Sequence, residues 1–258
     1  MAAVALVGTP PYTGANANSA GTTSLTFAFD PTGADCLVLN YGGWDGGSSA
    51  VPTAVTHNGD AFTLVVQQPA SPMGGDDCSA MWRRLAPDQT SANVVVTLDA
   101  AGISECGAHP VPLVNVNQTT PTGTVARTAN DDSPTSTDVT ASSTDELVLI
   151  TWYGNYDTSP ANSPTQGAGQ TITGLQTIVG ADSGSANGGS SKAGINGTVN
   201  LTLTAAGGNF DICGAPFKAA AASSCTPMFT LMGVGRCMAP FVGLEWLRHR
   251  KNRIRSVN

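Results

Sequence analysis

The residues with the chemistry to act as acids, bases, nucleophiles or ligands are few: three histidines, three glutamates and six cysteines in 258 residues. His57 sits beside a tight turn, His109 precedes Pro110, and His249 lies in a basic tail. None has a second His or a Cys at metal-ligand spacing, so no zinc site is expected. The chain has no Gly-x-Ser-x-Gly elbow and no Gly-x-x-x-x-Gly-Lys-Ser/Thr loop, which removes the common serine nucleophile and the common nucleotide cradle. A glycosidase needs two carboxylates about 5 to 10 Å apart. Glu105, Glu146 and Glu245 are the only glutamates, and Glu146 reads as the ordinary charged start of a strand. Asp76, Asp77, Asp131, Asp132 and Asp157 fall in loops but in no Asp-x-Asp-x-Asp-Gly arrangement, so solvated turn residues are the better reading than calcium ligands. The expectation is a protein without enzymatic activity, metal or cofactor.

Two aromatics stand out as contact residues. Trp44, in Tyr-Gly-Gly-Trp-Asp-Gly-Gly, reads as exposed on a glycine loop, and Tyr153 is a second candidate for a stacking platform, whereas Trp82 and Trp152 lie in apolar strands and read as core. The six cysteines allow fifteen full pairings. Spacing favours Cys78 with Cys106 across one hairpin unit and Cys225 with Cys237 in a short tail loop. Cys36 and Cys213 lie in apolar strands that a jelly roll brings together. The alternative is buried free thiol, as in a reducing compartment.

The elements that must hold these residues are strands. Hydrophobic residues make up 41% of the chain and charged residues only 11%, against roughly 25% in ordinary globular domains. The polarity comes from Ser, Thr, Asn and 30 glycines, and Thr and Val dominate the periodic segments. Strand signals recur every ten residues or so, bounded by Gly, Pro, Asn, Asp and Ser. Asn58-Gly59 between two such runs supplies the positive φ angles of a type I′ turn, so 54–67 reads as a hairpin. Roughly fourteen short strands indicate an all-β, antiparallel β-sandwich or jelly roll. The simplest count is one β-domain over residues 1–218, with two stacked β-domains split near Asn130 as the alternative. The Gly/Ser-rich stretch 180–197 reads as a loop or covering flap, and 219–224 as a hinge.

Residues 225–258 form a basic tail. Residues 1–222 carry 17 acidic and 5 basic side chains, while beyond them Glu245 stands against Arg236, Arg248, Arg250, Lys251, Arg253 and Arg255, so the body is −12 and the tail +5. The acidic body argues against nucleic acid as its partner. Arg236, Pro240 and Glu245 interrupt the apolar stretch 228–247, so 241–253 is expected to be a short amphipathic helix rather than a membrane span. The apolar run Ala2–Val7 is short for a signal peptide and reads as a first strand.

The runs Ala34-Asp35-Cys36-Leu37-Val38-Leu39, Val55 to Leu64, Met81-Trp82-Arg83-Arg84-Leu85-Ala86-Pro87 and Asn93 to Leu98, with Asp145-Glu146-Leu147-Val148-Leu149 and Phe217-Lys218, resemble the jelly-roll domains of tailed-phage virion proteins over residues 1–218. The resemblance implies a capsid decoration, collar or fibre component, homo-oligomeric and bound to other virion proteins such as the major capsid, portal or neck, or fibre subunits. It also implies synthesis in the host cytoplasm and residence in the virion, with the basic tail as anchor. The six cysteines and the chain from Cys225 onward depart from the pattern. The competing expectations are a module binding host-surface glycan through Trp44 and Tyr153, and a polysaccharide-active enzyme.

Overall fold

The computed structural model describes residues 1–44, 51–68, 77–98, 103–130, 135–156, 164–179, 184–204 and 209–221. Among them there is no helix. The strands, in chain order, are β1 (Ala5–Leu6), β2 (Ala15–Thr22), β3 (Ser24–Phe29), β4 (Cys36–Trp44), β5 (Pro52–His57), β6 (Asp60–Ala61), β7 (Thr63–Gln68), β8 (Asp77–Leu85) and β9 (Ala92–Leu98). They continue with β10 (Ile103–Val114), β11 (Ala126–Asn130), β12 (Thr135–Ala141), β13 (Leu147–Tyr156), β14 (Thr165–Gln166), β15 (Thr171–Val179), β16 (Gly184–Ala193), β17 (Gly197–Thr204) and β18 (Asn209–Phe217). All named pairings are antiparallel. The Asn58-Gly59 turn forms as the sequence requires, with φ of 52° and 82° joining β5 to β6.

The strand order occurs twice. A sheet β2-β10-β4-β8-β7, with β1 also on β10, faces a sheet β3-β9-β5-β6; then β11-β18-β13-β16-β15 faces β12-β17-β14. Each half places its strands in the same sequence order, and the repetition extends to detail. The register between β7 and β8 shifts between Leu64 and Val66, and that between β15 and β16 shifts between Ile172 and Gly174, a bulge at the same place in each half. The body, Met1–Ala220, is one compact unit. The repeat begins between β10 and β11, ahead of the Asp131 loop where the two-domain alternative puts the break.

The two large sheets stack on each other, so the body is four layers thick with three cores. Leu37, Leu39 and Tyr41 of β4 turn outward to Leu25, Val55, Val94 and Val96. Val148, Ile150 and Trp152 of β13 turn outward to Val139, Val199 and Leu201, with Trp152 set edge-on against Phe210 at 5.9 Å between ring centroids. Between the large sheets, Val38, Met81, Val111 and Leu113 meet Leu149, Ala215 and Phe217. A strand covered on both faces has no reason to alternate polar with apolar, which explains Cys-Leu-Val-Leu in β4 and Leu-Val-Leu-Ile in β13.

The Gly/Ser-rich stretch corrects the expectation of a flap. Gly184–Ala193 is β16, an inner strand between β13 and β15. Its small residues are dictated by space, since a Cβ on Gly188 would lie 2.6 Å from the Trp152 ring and one on Gly189 2.4 Å from Asn40 Nδ2.

Candidate functional site

The strands define two opposite ends. At one, Trp44 of β4 pairs with Asp77 and Glu105, and Asn155 of β13 pairs with Ser185 and Asn209. This end is the rim. At the other, Cys36 pairs with Leu85 and Leu113, and Leu147 with Phe217 and Ala193. This is the base. The nine residues of β4 separate the two by roughly 25 Å. Hydrogen bonds hold the two halves in this common orientation: the Tyr153 hydroxyl donates to Glu105 at 3.3 Å near the rim, and Val4 N donates to Asp145 O at 2.9 Å at the base.

Toward the rim the middle layer changes character and becomes a polar seam. Asn40 Nδ2 lies 3.2 Å from His109 Nε2 and 3.5 Å from Ile150 O. The amide can only donate, so Nε2 accepts and the ring proton sits on Nδ1. The Thr151 hydroxyl lies 3.4 Å from Tyr41 O and 3.3 Å from Gly188 O. Closer to the rim, Glu105 accepts from Tyr153 and from Ser185 Oγ. All of these side chains are buried. Burial pushes His109 down to about 3, so it is neutral at physiological pH. A buried polar layer of this kind ties the register of one large sheet to that of the other through Asn40, Thr151 and Glu105.

Several expectations change here. Tyr153 is fully buried and hydrogen-bonded in the seam, so it is not an exposed stacking residue. It lies inside β13, a strand covered on both faces. Trp44 is the last residue of β4 rather than part of an open loop, and is partly exposed at the rim. Glu146 caps the base by accepting from Ser142 N at 3.0 Å and from Ser142 Oγ. Glu105 and Glu146 therefore lie at opposite ends of β13, roughly 20 Å apart, and do not form a glycosidase pair. His57 is buried with Nε2 3.3 Å from Phe29 O. Among the described residues no group of three His, Cys, Asp or Glu gathers. Asp76, Asp131, Asp132, Asp157, His249, Cys225, Cys237 and the tail residues Arg236, Arg248, Arg250, Lys251, Arg253 and Arg255 lie outside the described residues.

The disulfide expectations are also corrected. Cys36, Cys78, Cys106 and Cys213 are buried thiols, and no disulfide joins Cys36 to Cys213 or Cys78 to Cys106. Cys78 and Cys106 both pair with Gly43, from opposite sides of β4. Two strand spacings, roughly 10 Å, exceed what a disulfide can bridge. Burial pushes the thiols of Cys36, Cys106 and Cys213 up to about 12. Alkylation of these three at pH 7 is therefore expected to run roughly a thousandfold slower than for a free cysteine, rising to the free rate in denaturant. Peptide mapping after timed iodoacetamide treatment checks this, and rapid native labelling of the three would contradict it.

Sequence reasoning missed the seam. Asn40 and His109 each interrupt an apolar strand, and that is the signal that was available. No family model, curated protein or solved structure matches the chain.

Proposed function

We propose that this chain is a structural component of a tailed-phage virion, fixed to the particle at its base and presenting its rim outward. The observation that carries the reading is where the chain leaves the body. Ala219 pairs with Val116, and Ala220 N donates to Asn115 O at 2.8 Å. The described chain thus leaves the body at the base, at the end remote from Trp44, Glu105 and the other rim positions, and the basic residues follow in sequence. A body of −12 with a tail of +5 separates display from attachment by charge as well as by place.

In this reading the two sandwiches are a tandem pair of jelly rolls. The order β2-β10-β4-β8 against β3-β9-β5-β6 supports it, with β6 and β7 as one strand that leaves the smaller sheet for the larger. The tail folds as a short amphipathic helix over 241–253 on meeting its partner, another virion protein of the capsid, neck or fibre. The body then acts through surfaces and not through catalysis. Glycan binding at the rim is left with Trp44 alone, since Tyr153 is buried.

Deleting residues 223–258 tests the anchoring role. The truncated chain is expected to keep the melting temperature of the body and to be lost from purified particles. Undiminished incorporation would overturn the role.

A further inference from the structure

We infer that copies of this chain join one another through the lateral edges of the two large sheets, at β7 and β15. The inference stands apart from the virion reading, because it rests on the edges themselves.

Strands β7 and β15 end their sheets in the same position of the two halves, and among the described residues each is paired with one strand, β8 or β16. A sheet edge presents a row of backbone N–H and C=O groups that another strand can complete. Proteins that keep such edges solvent-facing protect them with Lys, Pro or inward charges. Neither Thr-Leu-Val-Val-Gln-Gln of β7 nor Thr-Ile-Thr-Gly-Leu-Gln-Thr-Ile-Val of β15 contains a charged residue or a proline. The contacts present are the shared bulge, on β7 one carbonyl that accepts from Cys213 Sγ (Val66 O, 4.0 Å), and on β15 one carbonyl covered by Tyr12 N on Thr173 O at 2.7 Å.

The exposed aliphatic residues fall on the same strands. Among the described residues, the large hydrophobic side chains left exposed are Met1, Leu64, Ile172, Leu175 and Ile195. Three of these lie on β7 and β15. Leu64, 43% exposed, and Ile172, 40% exposed, each directly precede the bulge, at matching registers opposite Trp82 and Ser190. One exposed leucine is unremarkable in any protein. An aliphatic residue at the same repeat position of both uncharged edge strands is a repeated contact.

The partner that fits is a second copy. Its edges bring the same uncharged backbone groups and the same aliphatic residue, and pairing would continue a large sheet of one copy into that of the next. Because the internal repeat places an equivalent edge on each half, every copy has two such contacts to make. Association then runs past the dimer to a ring or a filament.

Sedimentation equilibrium of the full chain at tens of micromolar, a range that populates contacts of modest affinity, tests this. The wild type is expected at more than twice the 26.1 kDa of one chain. The double variant Leu64→Lys with Ile172→Lys is expected at one chain mass with an unchanged melting curve, since both side chains are solvent-facing. Ile195→Lys, at an exposed aliphatic away from both edges, is expected to keep the wild-type mass. A wild type sedimenting as one chain would overturn the inference. So would a double variant of undiminished mass, or an equal loss on Ile195→Lys.

Discussion

Acidification from pH 6.5 to pH 4 is expected to lower the unfolding free energy by about 3 kcal/mol through His109 alone. The ring is held neutral by burial, with its ionisation pushed from 6.5 down to about 3. In the unfolded chain it titrates at its ordinary value. Between these two values the unfolded state binds the extra proton, so stability falls as the pH falls, by about 1.4 kcal/mol per unit. The contribution is complete above pH 6.5 and is lost progressively toward pH 3. The described neighbours do not offset the charge: Asn40 presents its amide donor to the ring, and Gly174 and Gly189 bring only backbone. Carboxylates titrate over part of the same range, so the effect is read as a difference. Urea unfolding of wild type and His109→Gln at pH 6.5 and pH 4 should show the acid-induced loss shrinking by about 3 kcal/mol in the variant. Equal losses in the two proteins would show that His109 is not held neutral in the seam.

Gly174→Ala is expected to be among the most damaging single-methyl changes in the body, at about 3 kcal/mol or more. The three atoms nearest a Cβ at Gly174 all belong to the His109 ring, at 2.3, 2.4 and 2.7 Å. The ring cannot retreat, because Gly189 closes the space behind Nε2 and Asn40 holds the same nitrogen. His109→Ala removes the obstacle and leaves a cavity, at a cost of about 2 to 4 kcal/mol by analogy with other buried rings. In the double variant the new methyl occupies part of that cavity. The two changes should therefore be non-additive by at least 1 kcal/mol, within the range seen for residues in contact. Additivity to within about 0.5 kcal/mol would mean that β10 and β15 do not meet as described.

These two predictions concern the layer the sequence reveals least. The outer strands are legible because one face is wet: Asn93 to Leu98 nearly alternates and forms β9, and Asn58-Gly59 marks the turn itself. The hairpin expected over 54–67 nevertheless stops at Ala61, because Thr63–Gln68 crosses to the large sheet and pairs with β8. The inner strands are legible as apolar runs, but which face of Val38 or Leu149 meets which partner is not, since both faces are covered. β16 was hidden because Gly and Ser usually mark loops. Here they mark a strand with no room for side chains. β2, Ala-Asn-Ala-Asn-Ser-Ala-Gly-Thr, was hidden by the same composition.

The duplication had a trace in the sequence. Val94-Val95-Val96-Thr97-Leu98-Asp99-Ala100-Ala101-Gly102 parallels Val199-Asn200-Leu201-Thr202-Leu203-Thr204-Ala205-Ala206-Gly207, and Asp-x-Leu-Val-Leu opens both central strands, at Asp35 and Asp145. Each stretch alone reads as one more alternating strand. Compared with each other, they mark the half-length repeat that sets the four-layer architecture. The glycines around Trp44 suggest an open loop, whereas Trp44 ends β4, and the burial of Tyr153 is not legible locally because its hydroxyl partner, Glu105, comes from the other half of the chain.

We propose that the body is held on a particle by the end at which the chain leaves it toward the basic tail. Quantitative mass spectrometry of purified virions tests it most directly, by counting copies of this chain per particle against the major capsid subunit. A fixed stoichiometry that survives a high-salt wash and further purification is the predicted result. Absence of the chain from intact particles, or a copy number that falls with each purification step, would contradict the account.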